Sequence, residues 1–172
     1  PTFHRVCESV RKNVRAGYPF LFGKHPTSAD FALYGQLKEL SIDPFSSAVV
    51  KSYPEVFGWL AFMDDLSGYN YSVEREEFSY TPGVTLLLEL ASETYFPFMS
   101  ANAKAIASKQ KTVDVQIFNG RFMYSQPVCR YQKRCFIELN RQYSKLGPPD
   151  RLKVDVILGE TKCLSFFNKQ ET

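Results

Sequence analysis

The side chains of this 172-residue sequence best suited to chemistry are two histidines and four cysteines. Cys7, Cys129, Cys135 and Cys163 contain no C-x-x-C pair, so neither a zinc knuckle nor a dithiol redox motif is spelled out. On a helix His4 would have Cys7 and Glu8 one turn away, a fragment of a metal site, but no second cluster completes it. A Ser-His-Asp triad has little to draw on, with His25 in a loop and His4 near a chain end. No G-x-S-x-G, P-loop or G-x-G-x-x-G is present. No catalytic residue and no metal ligand set is therefore assigned. The strongest pocket candidates are Tyr124, Gln126, Tyr131, Gln132 and Cys135, whose polar tips on apolar bodies suit a small-molecule cleft. Plain packing of a hairpin on a helix is the competing reading of the same set. Cys135 would be a reactive thiol if Lys133 or Arg134 lowers its pKa, and an inert buried thiol otherwise.

Positioning these residues requires helices first. Phe3, Val6, Cys7, Val10 and Val14 repeat at helical spacing with charges between them, and Gly17 is a stop. A second helix starts sharply at Thr27. Asp30, three residues on, reaches back to the Thr27 backbone as a capping box, with Pro26 and Phe31 at the staple positions. Leu33, Tyr34, Leu37 and Leu40 make its core stripe. Asp43-Pro44 opens a shorter helix to about Lys51. Another begins near Pro54, with Val56, Trp59, Leu60 and Met63 on one face, widened by Phe57, Phe62 and Leu66. Residues 69–82, with Glu74, Glu76 and Glu77, have no sustained period and read as a solvated loop.

Residues 84–108 read as helix interrupted near Pro97. The period then changes from 3.6 to 2 at Val113, Val115 and Ile117, and Asn119-Gly120 marks a hairpin that must lie on helices to be stable. Residues 128–145 return to helix with Tyr131, Cys135, Leu139 and Tyr143 on one face. After Gly147-Pro148-Pro149, a last segment to about Leu158 reads as helix, or as strand from the alternation of Leu152, Val154 and Val156. Residues 168–172 are a polar tail. The expected fold class is thus mainly α with a small β-hairpin near residues 113–124.

At 44% hydrophobic and 23% charged the chain has an ordinary globular balance, which excludes a disordered tail or a collagen. Residues 1–100 carry a net charge of −4 and residues 101–172 one of +7. That asymmetry marks a nucleic-acid face, a solvated surface or a contact with an acidic neighbour. Nucleic acid is not expected, because the basic residues are scattered and match no reader motif. No apolar run is long enough to span a bilayer, and no secretory leader is expected from Pro1-Thr2-Phe3-His4-Arg5, which lacks an apolar core and a small-residue cleavage site. Without an initiator Met, the chain is expected to be processed or a fragment. Unpaired thiols point to an intracellular, cytoplasmic setting.

The run Phe20-Leu21-Phe22-Gly23-Lys24-His25-Pro26-Thr27-Ser28-Ala29-Asp30-Phe31 resembles the signature of the glutathione S-transferase C-terminal domain, "f-l-f-G-x-x-P-[ST]-x-A-D-f". Tyr53, Pro54, Val56 and Trp59 match the family's later "y-P-x-v-x-x-W". Asp64-Asp65-Leu66-Ser67-Gly68, Tyr95, Pro97, Phe98 and Ala101-Asn102-Ala103 are similar to a bacterial-type branch with a C-terminal extension. Gln126, Pro127, Tyr131, Gln132 and Cys135 match its "Q-P-x-x-x-Y-Q-x-K-C", with Arg134 in place of the usual Lys.

The resemblance implies a glutathione S-transferase C-terminal-like helical bundle. Residues 1–68 would form its core. Residues 69–172 would be a helical extension carrying the hairpin and packed with that core as one unit. It also implies glutathione as the cofactor of the intact protein, bound on a thioredoxin-like domain that precedes the helices and is not among these residues. That domain is then the expected partner, and a homodimer is a further one. The helices would line the pocket for an electrophile. The intact protein would be a glutathione transferase or thiol transferase, and this chain alone inactive. The alternative is a non-catalytic scaffold or assembly subunit built on the same helical domain.

Overall fold

A computed structural model describes residues 2–69 and 80–167. The chain divides into two compact units, Pro1–Leu87 and Leu88–Thr172.

In the first unit α1 (Thr2–Arg15) buries Cys7 and Val10 and ends as its sequence prescribes. Gly17 takes a φ of +82°, a conformation that favours glycine, and the N–H groups of Gly17 and Tyr18 return to the carbonyls of Val14 and Asn13. Those two bonds form the Schellman closure. The helix α2 (Ser28–Ile42) follows the Thr27 cap. The short helix α3 (Ser47–Lys51) begins three residues after Pro44. The Asp43 carboxylate explains the delay, because it accepts the N–H groups of Phe45 and Ser46 at 3.0 and 2.9 Å and holds a turn there first. Pro54 opens α4 (Pro54–Asp64), which buries Val56, Trp59, Leu60 and Met63, the expected i, i+3, i+4, i+7 face.

These elements share one core of Cys7, Val10, Phe20, Leu37, Val50, Val56, Trp59, Leu60 and Met63. Trp59 sends its Nε1–H to the Pro19 carbonyl at 2.9 Å, so its one polar atom is satisfied as the ring is buried. Phe20, Phe62 and Tyr69 close a triangle of rings with centroids 5.4 to 5.6 Å apart. Two expectations need correction. Phe57 does not widen the core face of α4: it is 55% exposed, since it directly follows Val56 and so points about 100° away around the helix. Phe31 and Leu40 are also exposed, so the buried stripe of α2 narrows to Leu37 with Leu33 and Tyr34 half-buried against the core. The loop reading of 69–82 and the placement of its three glutamates fall mainly on residues 70–79, outside the described residues.

Helix α5 (Pro82–Glu93) runs across the division between the units, and α6 (Tyr95–Ala107) follows after Thr94. The interruption therefore lies at Thr94, not at Pro97. Pro97 occupies the first turn of α6, where a backbone N–H has no intrahelical partner and the missing donor costs nothing.

In the second unit β1 (Thr112–Ile117) and β2 (Phe122–Pro127) pair antiparallel, with Val113 opposite Gln126 and Val115 opposite Tyr124. Asn119 and Gly120 both have positive φ, at +56° and +86°, and Arg121 N–H closes the turn on the Phe118 carbonyl. As a two-stranded sheet requires, the hairpin is supported by a helix: Val113, 1% exposed, packs with Phe98, Met99 and Ala105 of α6. Helix α7 (Arg130–Ser144) buries Tyr143, while Tyr131 stands 74% exposed and does not share the packed face expected for it. Helix α8 (Pro148–Glu160) settles the alternative between helix and strand. Its prolines take the first-turn positions, Leu158 is buried and Val154 half-buried one turn before, and Leu152 and Val156 face solvent. A 3-10 turn, Leu164–Phe166, follows, and Phe96, Tyr143, Leu158 and Cys163 form the buried cluster there. The mainly α class with a small hairpin thus holds. The polar tail lies outside the described residues.

Candidate functional site

The capping residues are best understood from the chain path that they fix. The Asp30 side chain is fully buried and accepts three hydrogen bonds. Its Oδ2 takes the Thr27 N–H at 2.8 Å and the Thr27 hydroxyl at 2.7 Å, and its Oδ1 takes the Leu21 N–H at 2.7 Å. The capping box is therefore present, and its carboxylate also holds the Phe20–Gly23 turn, whose ends bond to each other. Beside it, Thr81 donates its hydroxyl to the Leu21 carbonyl at 2.6 Å. Asn13 donates to the Phe20 carbonyl at 3.1 Å and accepts the Gly83 N–H at 2.6 Å. All four side chains are buried or half-buried, and each bond satisfies a group that would otherwise be stranded. This array fixes backbone, its side-chain donors and acceptors being spent on main-chain groups and on the Thr27–Asp30 contact.

The five pocket candidates divide. Tyr124 donates its hydroxyl to Gln126 Oε1 at 2.8 Å, and Gln126 Nε2 reaches Gln132 Oε1 at 3.5 Å, so hairpin and helix are joined by a short polar relay. The Tyr124 ring meets Phe98 edge-on at 5.8 Å. Cys135 packs beneath, with Val113, Val128 and Phe136, and opens on a shallow recess of about 400 Å³ with Tyr95, Arg134, Glu138 and Gln142. Tyr131 stands apart in solvent.

Asn102 anchors the start of α7. Fully buried, it donates Nδ2 to the Cys129 carbonyl and accepts the Cys129 N–H, both at 2.9 Å. Of the metal fragment near the N-terminus, His4 pairs with the Tyr53 hydroxyl at 3.2 Å, and Cys7 is fully buried with its thiol pushed up to about 11 by that burial. Among the described residues no three His, Cys, Asp or Glu side chains stand where they could hold a metal ion.

A larger recess of about 800 Å³ also lies in the second unit, walled by α6, α7, the start of α8 and the 3-10 turn. None of the five candidates lines it. Its cations are Lys133, Arg141 and Arg151. The signal for it in the sequence is the spacing Lys133, Ile137, Asn140, Ser144, one face of a helix, but that face mixes cation, apolar and amide and has no hydrophobic period to mark it.

Residues 1–67 match the family model described as glutathione S-transferase, C-terminal domain. The matched stretch spans α1 to α4, so the helical region built on the Asp30-capped helix is similar to a domain of that kind. No curated protein and no solved structure matches the chain. No described helix is long and apolar enough to cross a membrane.

Proposed function

We propose that this chain supplies the helical, electrophile-binding part of a glutathione S-transferase-like protein. Glutathione is held by a thioredoxin-like domain outside these 172 residues, and its thiolate attacks an electrophile or a disulfide. The observation that carries this reading is the family match over residues 1–67, whose centre is the buried Asp30 clasp at the entry to α2. The chemistry of the thiolate belongs to the other domain, which fits a chain whose described polar clusters tie down backbone. Tyr124, Gln126, Tyr131, Gln132 and Cys135 are the residues offered to the co-substrate. Four free thiols fit a reducing, cytoplasmic setting.

The test compares the protein translated from its full reading frame with this 172-residue chain. Both are assayed for conjugation of glutathione to an aryl halide and for thiol transfer to a disulfide. Activity in the longer protein and none in the chain supports the reading. Activity from the chain alone overturns it. No activity in either, with the longer protein folded, also overturns it and leaves the domain as an assembly scaffold.

A further inference from the structure

We infer that the 800 Å³ recess of the second unit is a binding site for a small amphipathic carboxylate, its headgroup at Lys133 and its apolar body along α6 and α7. The inference rests on that unit alone and does not depend on glutathione chemistry.

The recess is within the size range of small-molecule pockets, roughly 300–1,000 Å³. One wall is made by small residues of α6, Ser100, Ala103 and Ala107, which let a ligand lie close to the helix. The facing wall is α7, from Lys133 at one end to Ser144 at the other, a run of about 16 Å at the rise of an α-helix. Phe136, Ile137 and Phe166 supply the apolar surface between. The size and lining therefore suit an elongated molecule better than a compact ion.

Charge fixes its polarity. Three cations line the recess and, among the described residues, no carboxylate does. Two of the three are already neutralised from outside it. Arg141 is bound to Glu138 through both Nε and Nη2, at 2.6 and 2.5 Å. Arg151 lies 3.1 Å from Asp155, its guanidinium carbon 3.6 Å from the centre of the Tyr143 ring. Lys133 has no ion pair among the described residues. It is half-buried near the N-terminal end of α7, whose first turn holds no acidic residue, so the helix dipole adds to the positive field there. A carboxylate at Lys133 gains a partner for a cation that has none, while a second anion at Arg141 or Arg151 would have to displace an existing one.

The test titrates the 172-residue chain with decanoate and with decanol in a calorimeter at low ionic strength. Decanoate is expected to bind with one-to-one stoichiometry, and decanol about tenfold or more weakly, the worth of one charge-assisted contact. Lys133→Ala should lose that discrimination and Lys133→Arg should keep it. Ala107→Trp, at the exposed rim, should block both ligands with the melting temperature unchanged. Equal affinity for acid and alcohol, full discrimination in Lys133→Ala, or no binding at all would each overturn the assignment.

Discussion

Asp30 Oδ1 accepts the backbone N–H of Leu21 across 2.7 Å, from a carboxylate whose other oxygen caps its own helix. One side chain thus sets both the start of α2 and the turn that precedes it. Asp30→Ala strands two backbone donors, Leu21 and Thr27, of which the first is buried. The expected loss is about 2–4 kcal/mol, a cap together with an unsatisfied buried group. Thr27→Ala removes a hydroxyl that donates to the same oxygen and faces the Asp30 N–H in the capping box, and should cost about 0.5–1.5 kcal/mol. Denaturant melts of the two variants check the order. Equal losses would mean that the Leu21 bond contributes nothing.

Gly83 is held to Asn13 so closely that it has no room for a side chain. A Cβ there would lie 2.5 Å from Asn13 Oδ1 and 2.5 Å from the Ser9 carbonyl oxygen. The first neighbour is a side chain and can move, whereas the second is the backbone of α1. Gly83→Ala is expected to destabilise by about 2–4 kcal/mol, and Asn13→Ala should not rescue it, because the clash with Ser9 remains. The measurement is a double-mutant cycle read by thermal melting. Rescue by Asn13→Ala would show that the side chain alone was the obstacle.

Asn102 holds the junction of β2 and α7 by bonding both backbone groups of Cys129. The amide is needed at both ends, since it must donate to a carbonyl and accept from an N–H. Asn102→Asp keeps the shape and reverses the donor, placing a buried carboxylate oxygen against the Cys129 carbonyl. It should destabilise at least as much as Asn102→Ala, which costs about 1–3 kcal/mol by leaving two groups unpaired. Hydrogen exchange should locate the loss at residues 128–131. Uniform loosening across the second unit, with no local excess there, would assign Asn102 a general packing role instead.

What could be read from the residues was whatever repeats along the chain. The face of α4 showed in Val56, Trp59, Leu60 and Met63, and the cap of α2 in Thr27 and Asp30, because both are local patterns. The hairpin showed in Asn119-Gly120 for the same reason. The contacts of Asn13, Thr81 and Asn102 were invisible, since their partners lie 7 to 70 residues away and a lone polar residue carries no period. Pro97 misled because a proline marks a break without saying on which side the new helix begins. The glutamine–tyrosine relay was legible as a set, but the exposure of Tyr131 was not, because hydrophobic spacing does not tell which end of a face stays covered.

Glu138 gives the acid dependence of α7. Its hydrogen bonds from Arg141 and Gln142 hold its carboxyl well below the usual range, to about 2. A carboxylate with a depressed folded pKa adds stability at pH values above its unfolded pKa, and that contribution falls away as the pH drops toward the folded value. Glu138→Gln should therefore lower the melting temperature slightly at pH 7, and the gap should narrow as the pH falls from about 4.5 toward 2. The difference should also shrink in high salt, since the pair is about half exposed. A gap between variant and parent of the same size at pH 7 and pH 2 would point to lost packing.

The cysteines should separate by burial when challenged with an alkylating reagent. Burial raises the thiols of Cys7 and Cys163, that of Cys7 to about 11, and both side chains are fully enclosed. Cys129 and Cys135 are partly accessible. At pH 8, iodoacetamide followed by peptide mass analysis should label Cys129 and Cys135 first, with Cys7 and Cys163 reacting only as fast as their units open. The same shift has a stability consequence of opposite sign to that of Glu138. A thiol whose folded pKa is raised is fully accommodated below its unfolded pKa, and its contribution declines as the pH climbs from about 9 toward 11, because the unfolded chain then releases a proton that the folded one retains. Cys7→Ser should flatten that alkaline decline while adding a buried hydroxyl cost at every pH. Cys7→Ala separates the two by omitting the hydroxyl. If labelling of Cys7 kept pace with that of Cys135 in the folded chain, the enclosure of α1 against α4 would be wrong.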